Sequence, residues 1–329
     1  MAGTKRQHHL AQGIQRNFLA KGATKLWWYS RVDNRYEERT TRGIGHARHT
    51  YTFTAVPGSE RYAIEDALAK VEDLGIPALR KLEQRESITQ AERNAIAELV
   101  GFQFIRTPSR ISFLSEFLNV GSSQLVSKLA DQLEAMTPEE FEANMRKKRD
   151  ATGRAWDLDQ RELVDGLRIR PPRVTATKEG TLEAMVELGT GLAVEFSKRT
   201  WVVLHAPKSS SFITSDQGVF MAPGPGVDPE VFGPATPGVA IVFPFATHAA
   251  LLVTGKPPVA IEHARTDGRQ VRSINDGLAQ VSHEIYSHSR ELLASVVKRN
   301  ELDTTRYALE VDEASLAAVQ SHLRQAAHD

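Results

Sequence analysis

Apolar residues recur along this chain with two periods, one typical of helices and one typical of strands. Helical spacing predicts a helix that begins at the capping-box residues Thr89 and Glu92 and ends before Pro108. A second well-marked start places Pro138 at the first helical position. The predicted helices cover residues 60–79, with an interruption near 75–77, then 90–106, 111–119, 122–135, 138–149, 159–167, 178–196 and 275–297.

Runs of aromatic and β-branched residues predict short strands near both ends of the sequence. Residues 26–32 and 49–56 predict an antiparallel pair joined by a long loop. The later runs are 200–205, 211–214, 218–221, 238–243 and 249–254. This order predicts an α+β fold, with a helical middle region packed against a mostly antiparallel sheet built from N-terminal and C-terminal strands.

The length of the chain fits one large domain over residues 1–329, and the sequence carries no internal repeat. Its character changes from helical to strand-rich after Pro171 and Pro172. The alternative is a division there, into 1–170 with the strand pair and the helical region, and 171–329 with the sheet and the late helix.

Composition narrows the classes of function. The chain has 41 basic and 41 acidic side chains, so no overall field draws it to nucleic acid or to a membrane. The absence of cysteine excludes disulfides, thiolate nucleophiles and cysteine-based metal sites. Residues 1–50 hold ten Lys or Arg against three Asp or Glu, whereas residues 51–100 hold nine acids against six bases. Packing of the two regions would neutralise this asymmetry; the alternative is a basic phosphate-binding surface with Trp27 and Trp28 for stacking.

The N-terminal residues lack the apolar segment of a secretory signal. No apolar run approaches the roughly 18 residues that span a bilayer. These features predict a soluble, cytoplasmic protein without a membrane partner.

The sequence contains no P-loop, no HExxH and no GxSxG motif, so any site must be assembled from scattered polar residues. The first candidate cluster is the opening stretch, HHLAQGIQRNF. With helical geometry, Gln12 and Arg16 lie one turn apart and His8 or His9 lies one turn earlier. Together they offer donors suited to phosphate or carboxylate. The alternative is an exposed terminal arm anchored by Phe18.

The second cluster lies in and beside the most apolar helix. Gln103 and Arg106 are spaced i and i+3, and a buried polar pair must be satisfied by some partner. They predict either a ligand-facing pair at the floor of a pocket or an internal salt bridge to Glu65, Glu72 or Glu98. Glu65 and Glu72, two turns apart on the preceding helix, are candidate ligands for a divalent metal. The alternative is that both residues simply lie on the solvent-exposed edge of an amphipathic helix.

The third cluster ends a predicted strand with Thr214, Ser215 and Asp216. Strand ends commonly present functional side chains at the edge of a sheet. Asp216 is therefore a candidate base or metal ligand, and Ser215 is a candidate hydrogen-bonding group. The alternative is an ordinary aspartate-containing turn closed by Gly218.

Five segments carry a resemblance over nearly the whole chain. They are HHLAQGIQRNF, FTAVPGSERYAIEDALAKVE, ELVGFQFIRTPSR, WVVLHAPKSSSFITSDQGV and VAIVFPFATHAALL. From residue 8 to about 300 the sequence resembles the bacterial and fungal family known as domain of unknown function 4238. Gln217 and Gly218 stand where the family pattern has Asn and Pro. The resemblance implies that the three clusters belong together, and it carries no activity to transfer.

Convergence of the clusters around one cleft predicts a hydrolase-like enzyme for an anionic or phosphate-containing small molecule. Asp216 or His9 would be the general base, and the arginines would stabilise developing negative charge. A divalent metal cofactor is compatible with this prediction. The alternatives are a non-catalytic nucleotide or nucleic-acid binding module, and a structural or interaction protein whose polar clusters are internal ion pairs. The predicted substrate-binding residues are Arg16, Gln12, Gln103, Arg106 and Ser215.

Overall fold

A computed structural model of the chain describes residues 6–48, 50–53, 62–153, 159–172, 175–228, 232–255 and 260–303. The chain divides into two compact units, one formed by residues 1–108 and 185–329 and the other by residues 109–184. The second unit is therefore an insertion in the sequence of the first. The predicted single domain and the alternative division near residue 170 remain predictions.

The described elements are numbered in chain order. The helices are α1 (Gln12–Arg16), α2 (Ala63–Glu83), α3 (Gln90–Ile105), α4 (Pro108–Ala135), α5 (Pro138–Thr152), α6 (Gln160–Ile169), α7 (Lys178–Ser197), α8 (Gly268–Gln280) and α9 (Arg290–Arg299). The strands are β1 (Arg6–His8), β2 (Lys25–Ser30), β3 (Arg35–Thr40), β4 (His46–Arg48), β5 (Thr200–His205), β6 (Thr214–Ser215), β7 (Phe220–Pro223), β8 (Val239–Ala246), β9 (Ala249–Thr254), β10 (Ile261–Arg265) and β11 (Glu284–Ser287).

Antiparallel pairing dominates the sheets of the first unit. A five-stranded sheet has the order β10-β5-β9-β8-β7, in which β10 and β5 are parallel. A four-stranded antiparallel sheet, β3-β2-β11-β6, combines N-terminal and C-terminal strands. β1 and β4 form a separate antiparallel pair. The predicted α+β class, with mostly antiparallel sheets, is confirmed.

The predicted partner of the first long strand was wrong. β2 turns through residues 31–34 and pairs with β3, and Asn34 takes a positive φ of 46° in that turn. β3 has the sequence RYEERT and lies at the edge of its sheet, where charged side chains discourage pairing with other chains. Because its apolar signal is weak, the sequence pattern did not reveal it. Residues 50–53 form no strand, and 49 and 54–56 lie outside the described residues.

The predicted helix over 275–297 was also wrong, because it is three elements. α8 ends at Gln280, β11 follows, and α9 begins after Ser289, whose hydroxyl accepts a hydrogen bond from Leu292 N. Ile285 and Tyr286 are both buried. Ile285 continues the helical spacing of apolar residues, but a single buried apolar residue fits a strand equally well. Helical spacing alone therefore did not distinguish a strand from a helix here.

α2 and α3 pack closely against each other. α2 is continuous through Pro77, so the predicted interruption near 75–77 was wrong. A Cβ on Gly75 would lie 2.9 Å from both Ala95 O and Leu99 Cβ, so glycine here permits the close approach of the two helices. α3 begins at the predicted capping box, with Thr89 accepting from Glu92 N.

The second unit is helical over its described residues. α4 runs without interruption where two helices were predicted, and α5 begins with Thr137 as its cap and Pro138 in its first turn. A small apolar cluster joins α4, α5 and α6, formed by Leu133, Phe141, Met145 and Val164. Among the described residues, no helix has the length and apolar character needed to cross a membrane.

The opening stretch belongs to the core of the first unit. Leu10, Ile14 and Phe18 are each 0% exposed. They join the apolar cluster that includes Trp201 and Phe243 of the five-stranded sheet. The stretch is thus held in place by the burial of three apolar side chains, and it is not an exposed arm.

Candidate functional site

His9 lies where β1 leaves its pairing and the chain enters α1. Its backbone N–H donates to Gly45 O at 2.9 Å, and the buried side chain of Leu10 follows it. These contacts fix the His9 carbonyl, which accepts hydrogen bonds from the end of α3. The opening stretch is therefore positioned by main-chain bonds as well as by apolar burial.

Arg106 is the centre of a polar network, and its side chain is buried, with only 1% exposed. Its Nη1 donates to Glu72 Oε1 at 2.7 Å, its Nε to His9 O at 3.0 Å, and its Nη2 to Gln103 Oε1 at 2.8 Å. Gln103 Nε2 also donates to His9 O, at 2.7 Å. Tyr51 Oη donates to Arg106 O at 2.6 Å. We call Arg106, Glu72, Gln103 and the His9 carbonyl the Arg106 network. It satisfies the predicted polar pair internally, through an acid that the sequence named as one candidate.

A cleft of about 390 Å³ opens between α1 and α2. Its lining residues are His8, Gln12, Gly13, Arg16, Glu72, Asp73, Ile76, Pro77 and Arg80. We call it the α1–α2 cleft. Of the predicted residues it contains Gln12, Arg16 and Glu72, whereas His9, Gln103, Arg106, Ser215 and Asp216 do not line it.

A chain of hydrogen bonds links three residues on the α1 side of this cleft. The amide Nε2 of Gln12 lies 2.9 Å from His8 Nε2, and Arg16 Nη2 donates to Gln12 Oε1 at 3.3 Å. Because the amide oxygen of Gln12 faces a donor, its nitrogen faces His8, whose Nε2 must then accept. Burial, with His46 and Arg106 nearby, lowers the pKa of His8 to about 4, so the imidazole is neutral at pH 7.

The charges around the cleft leave a positive excess. Glu72 is neutralised by Arg106. Among the described residues, neither Arg16 nor Arg80 forms a salt bridge. Asp73 is therefore the remaining acid of the lining against two arginines. Arginine side chains that face solvent in a concave surface are suited to bind carboxylate or phosphate oxygens.

The His9 imidazole is buried and lies outside the α1–α2 cleft. Its side chain is 7% exposed, and within the described chain neither Nδ1 nor Nε2 has a hydrogen-bond partner. Burial, followed by the charge of Arg106, lowers the pKa of His9 to about 3. A base with so low a pKa is weak, and the catalytic role of His9 stays a prediction.

Asp216 lies directly after β6, beside β11. Its Oδ1 accepts from Glu284 N at 3.3 Å, and its own N–H donates to Glu284 O at 3.1 Å. Burial, followed by repulsion from Glu284, raises the pKa of Asp216 to about 7. Tyr286 Oη donates to Glu284 Oε2 at 2.6 Å. Burial, with the charges of Glu284 and Asp216, raises the pKa of Tyr286 well above its usual value.

Ser215 and Gly218 shape the turn after β6. The Ser215 hydroxyl accepts from Gln217 N at 3.2 Å and from Gly218 N at 3.1 Å. Gly218 has a φ of 69°, a left-handed conformation that glycine adopts at little cost. Gln103 Nε2 lies 3.4 Å from Gln217 O, which connects this turn to the Arg106 network. The three predicted clusters are thus linked through the core, but Gln103, Arg106, Ser215 and Asp216 do not line the α1–α2 cleft.

The predicted metal ligands are engaged by other protein groups. Glu65 Oε2 accepts from Gln7 Nε2 at 3.0 Å, and Glu72 belongs to the Arg106 network. Across the described ranges, no three His, Cys, Asp or Glu side chains come together as a metal-ligand set.

The sequence reasoning missed Arg80, Glu284 and Tyr286. Arg80 is eight residues after Glu72, so helical periodicity places both on one face of α2 and would have found it. Glu284 and Tyr286 alternate on a strand that was assigned to a helix. Alternate residues of a strand share one face, so the sequence would have placed Glu284 and Tyr286 together only if residues 284–287 had been recognised as a strand.

Comparison with known proteins gives one family. The family model described as protein of unknown function (DUF4238) matches residues 6–291. No curated protein and no solved structure matches the chain. The match covers most of the chain and confirms the resemblance seen in the sequence.

Proposed function

This chain belongs to the DUF4238 family of proteins of unknown function, and we propose that it binds an anionic small molecule in the α1–α2 cleft. The ligand carries a phosphate or carboxylate group. Arg16 and Arg80 supply the positive charge, and Gln12 holds Arg16 in position.

The contrast between two arginines supports this proposal. Arg106 is 1% exposed and has a carboxylate partner, Glu72, at 2.7 Å. Arg16 is exposed in the cleft, and its hydrogen bond in the described structure is to the neutral amide of Gln12 at 3.3 Å. A buried arginine is expected to be paired, whereas one that faces a cleft and forms no salt bridge among the described residues is free to pair with a ligand.

Hydrolysis goes beyond binding and stays a prediction, since His9 and Asp216 do not line the cleft. A soluble, cytoplasmic protein is likewise a prediction. Nucleotide or nucleic-acid binding has less support than a small anion. Trp28 is 1% exposed, and Arg39 covers its ring at 3.4 Å from the centroid, which leaves no face for a base to stack on.

The proposal is tested by calorimetric titration of the chain with inorganic phosphate, nucleotides, phosphorylated sugars and di- and tricarboxylates. Loss of one charge-assisted hydrogen bond costs about 1.5–3 kcal/mol, so Arg16→Met is expected to weaken binding of the tightest compound by roughly 10- to 150-fold. Arg80→Met should weaken it in the same direction.

Arg265→Met is the matched control, since Arg265 is exposed in the same unit and lies outside the cleft. It should bind like the parent chain. Equal loss in Arg16→Met and Arg265→Met, or no binding of any anion by the parent chain, would refute the proposal.

A further inference from the structure

The ends of β6 and β11 bring four oxygen-bearing side chains to one face of the four-stranded sheet. Thr214 lies directly opposite Tyr286, and Ser215 lies opposite Ile285. Directly opposed residues of antiparallel strands share a face, and alternate residues along a strand do so too. Thr214, Tyr286 and Glu284 therefore share a face, and Asp216 continues it beyond β6. We call these four residues the β6–β11 acidic face.

Among the described residues, no cationic side chain lies within salt-bridge distance of either carboxylate of this face. Asp216 is 8% exposed, and in the described part of the chain neither Asp216 nor Glu284 forms a salt bridge. Asp216 accepts hydrogen bonds from the backbone of Glu284 and His283 and from the side chain of Gln217, and Glu284 accepts one from Tyr286 Oη. None of these donors carries a positive charge. Two carboxylates so close together repel each other, and a bound cation would remove the repulsion.

An independent observation concerns Thr214. Its side chain is 0% exposed, and its Oγ1 has no hydrogen-bond partner among the described residues. A buried hydroxyl without a partner is unfavourable. Its position opposite Tyr286 and beside Glu284 directs it to the same face as the carboxylates. A ligand that accepts oxygen lone pairs would satisfy the hydroxyl and the acids together.

We propose that the β6–β11 acidic face binds a hard divalent cation, Mg²⁺ or Mn²⁺, through the carboxylates of Asp216 and Glu284 and the hydroxyl of Thr214. Such cations prefer oxygen ligands and are commonly held by one or two carboxylates, with water completing the coordination. The hydrogen bond from Tyr286 orients the Glu284 carboxylate, as groups behind a metal ligand usually do. None of the three ligand residues lines the α1–α2 cleft.

The experiment is a titration of the metal-stripped full chain with MnCl₂, in which electron paramagnetic resonance measures free Mn²⁺. We expect one tight Mn²⁺ per chain, displaced by excess MgCl₂. Asp216→Asn should weaken that site by about tenfold or more, because it removes a charged ligand. Glu262→Gln removes an exposed acid on β10, in the other large sheet, and should bind Mn²⁺ like the parent chain.

Thr214→Val gives the sharper test. Valine keeps the shape of threonine and removes a hydroxyl that lacks a protein partner, so the metal-free variant should be at least as stable as the parent chain. Its Mn²⁺ affinity should nevertheless fall about fivefold, the effect of one lost neutral oxygen contact. Absence of a tight Mn²⁺ site in the parent chain overturns the proposal. An affinity unchanged in Thr214→Val overturns it too, whether or not Asp216→Asn folds.

Discussion

Replacement of Arg106 by methionine tests whether the Arg106 network holds the first unit together. Methionine keeps the apolar stem and removes the guanidinium. Glu72 Oε1 then loses its partner at 2.7 Å, while the His9 carbonyl keeps the hydrogen bond from Gln103 Nε2. The perturbation therefore leaves one carboxylate uncompensated in a mostly buried position.

The expected loss is large because of burial. The Arg106 side chain is 1% exposed and that of Glu72 is 23% exposed. Removing one partner of a buried ion pair costs about 3–5 kcal/mol. The matched control is Arg35→Met, which breaks the ion pair between Arg35 and Glu37. The Arg35 side chain is 56% exposed and that of Glu37 is 35% exposed. Exposed pairs contribute about 1 kcal/mol or less.

The assay is urea denaturation followed by tryptophan fluorescence. Trp27, Trp28 and Trp201 belong to the first unit, and a Trp156→Phe background limits the fluorescence to these three tryptophans. Separate reporting matters because two units need not unfold in one transition.

A double-mutant cycle completes the test. Glu72→Gln removes the uncompensated charge, so the combined loss should be smaller than the sum of the single losses by at least about 1 kcal/mol. Arg106 and Glu72 do not form a strong buried ion pair if Arg106→Met costs no more than Arg35→Met. The same follows if the losses of Arg106→Met and Glu72→Gln simply add in the double mutant.

Two further predictions concern the same region. Gly218→Ala should cost about 1–3 kcal/mol more than Gly226→Ala in urea denaturation. Both glycines have positive φ, but a Cβ at Gly218 would lie 2.9 Å from Leu10 Cδ1, whereas a Cβ at Gly226 has open space; equal losses would contradict this. His9 keeps a folded-state pKa of about 3, so the folded imidazole stays neutral where the unfolded one binds a proton. Stability is therefore lost as pH falls below about 6.5, by about 1.4 kcal/mol per pH unit for this residue. Denaturation at pH 7 and pH 5 should show the parent chain losing about 2 kcal/mol more than His9→Met, and equal losses would exclude this linkage.

Local structure was largely readable from the sequence. The capping box at Thr89 and Glu92 and the start at Pro138 were located correctly, and β5 and β9 begin and end where the pattern placed them. These features depend on residues within one or two turns of each other, or on a short run of apolar side chains. The α+β class followed from the order of such elements.

Strand partners were not readable in the same way. β2 pairs with β3, a charged edge strand, and with β11, which lies more than 240 residues later in the chain. The hydrogen bonds of a strand are made by the backbone, which is the same for every residue type. Side-chain patterns therefore indicate that a strand exists but only weakly indicate its partner.

The roles of the candidate residues were decided by tertiary structure. Sequence reasoning selected Arg16 and Arg106 together, as two arginines of one anion site. Folding gave them opposite environments, because α2 brings Glu72 to Arg106 in the interior and leaves Arg16 at the cleft beside Arg80. The sequence by itself determined which charges the chain carries and which segments form helices and strands. Only the tertiary structure decided which charges are paired, since Coulomb attraction and the cost of desolvation depend on distance and burial, and neither can be read from order along the chain.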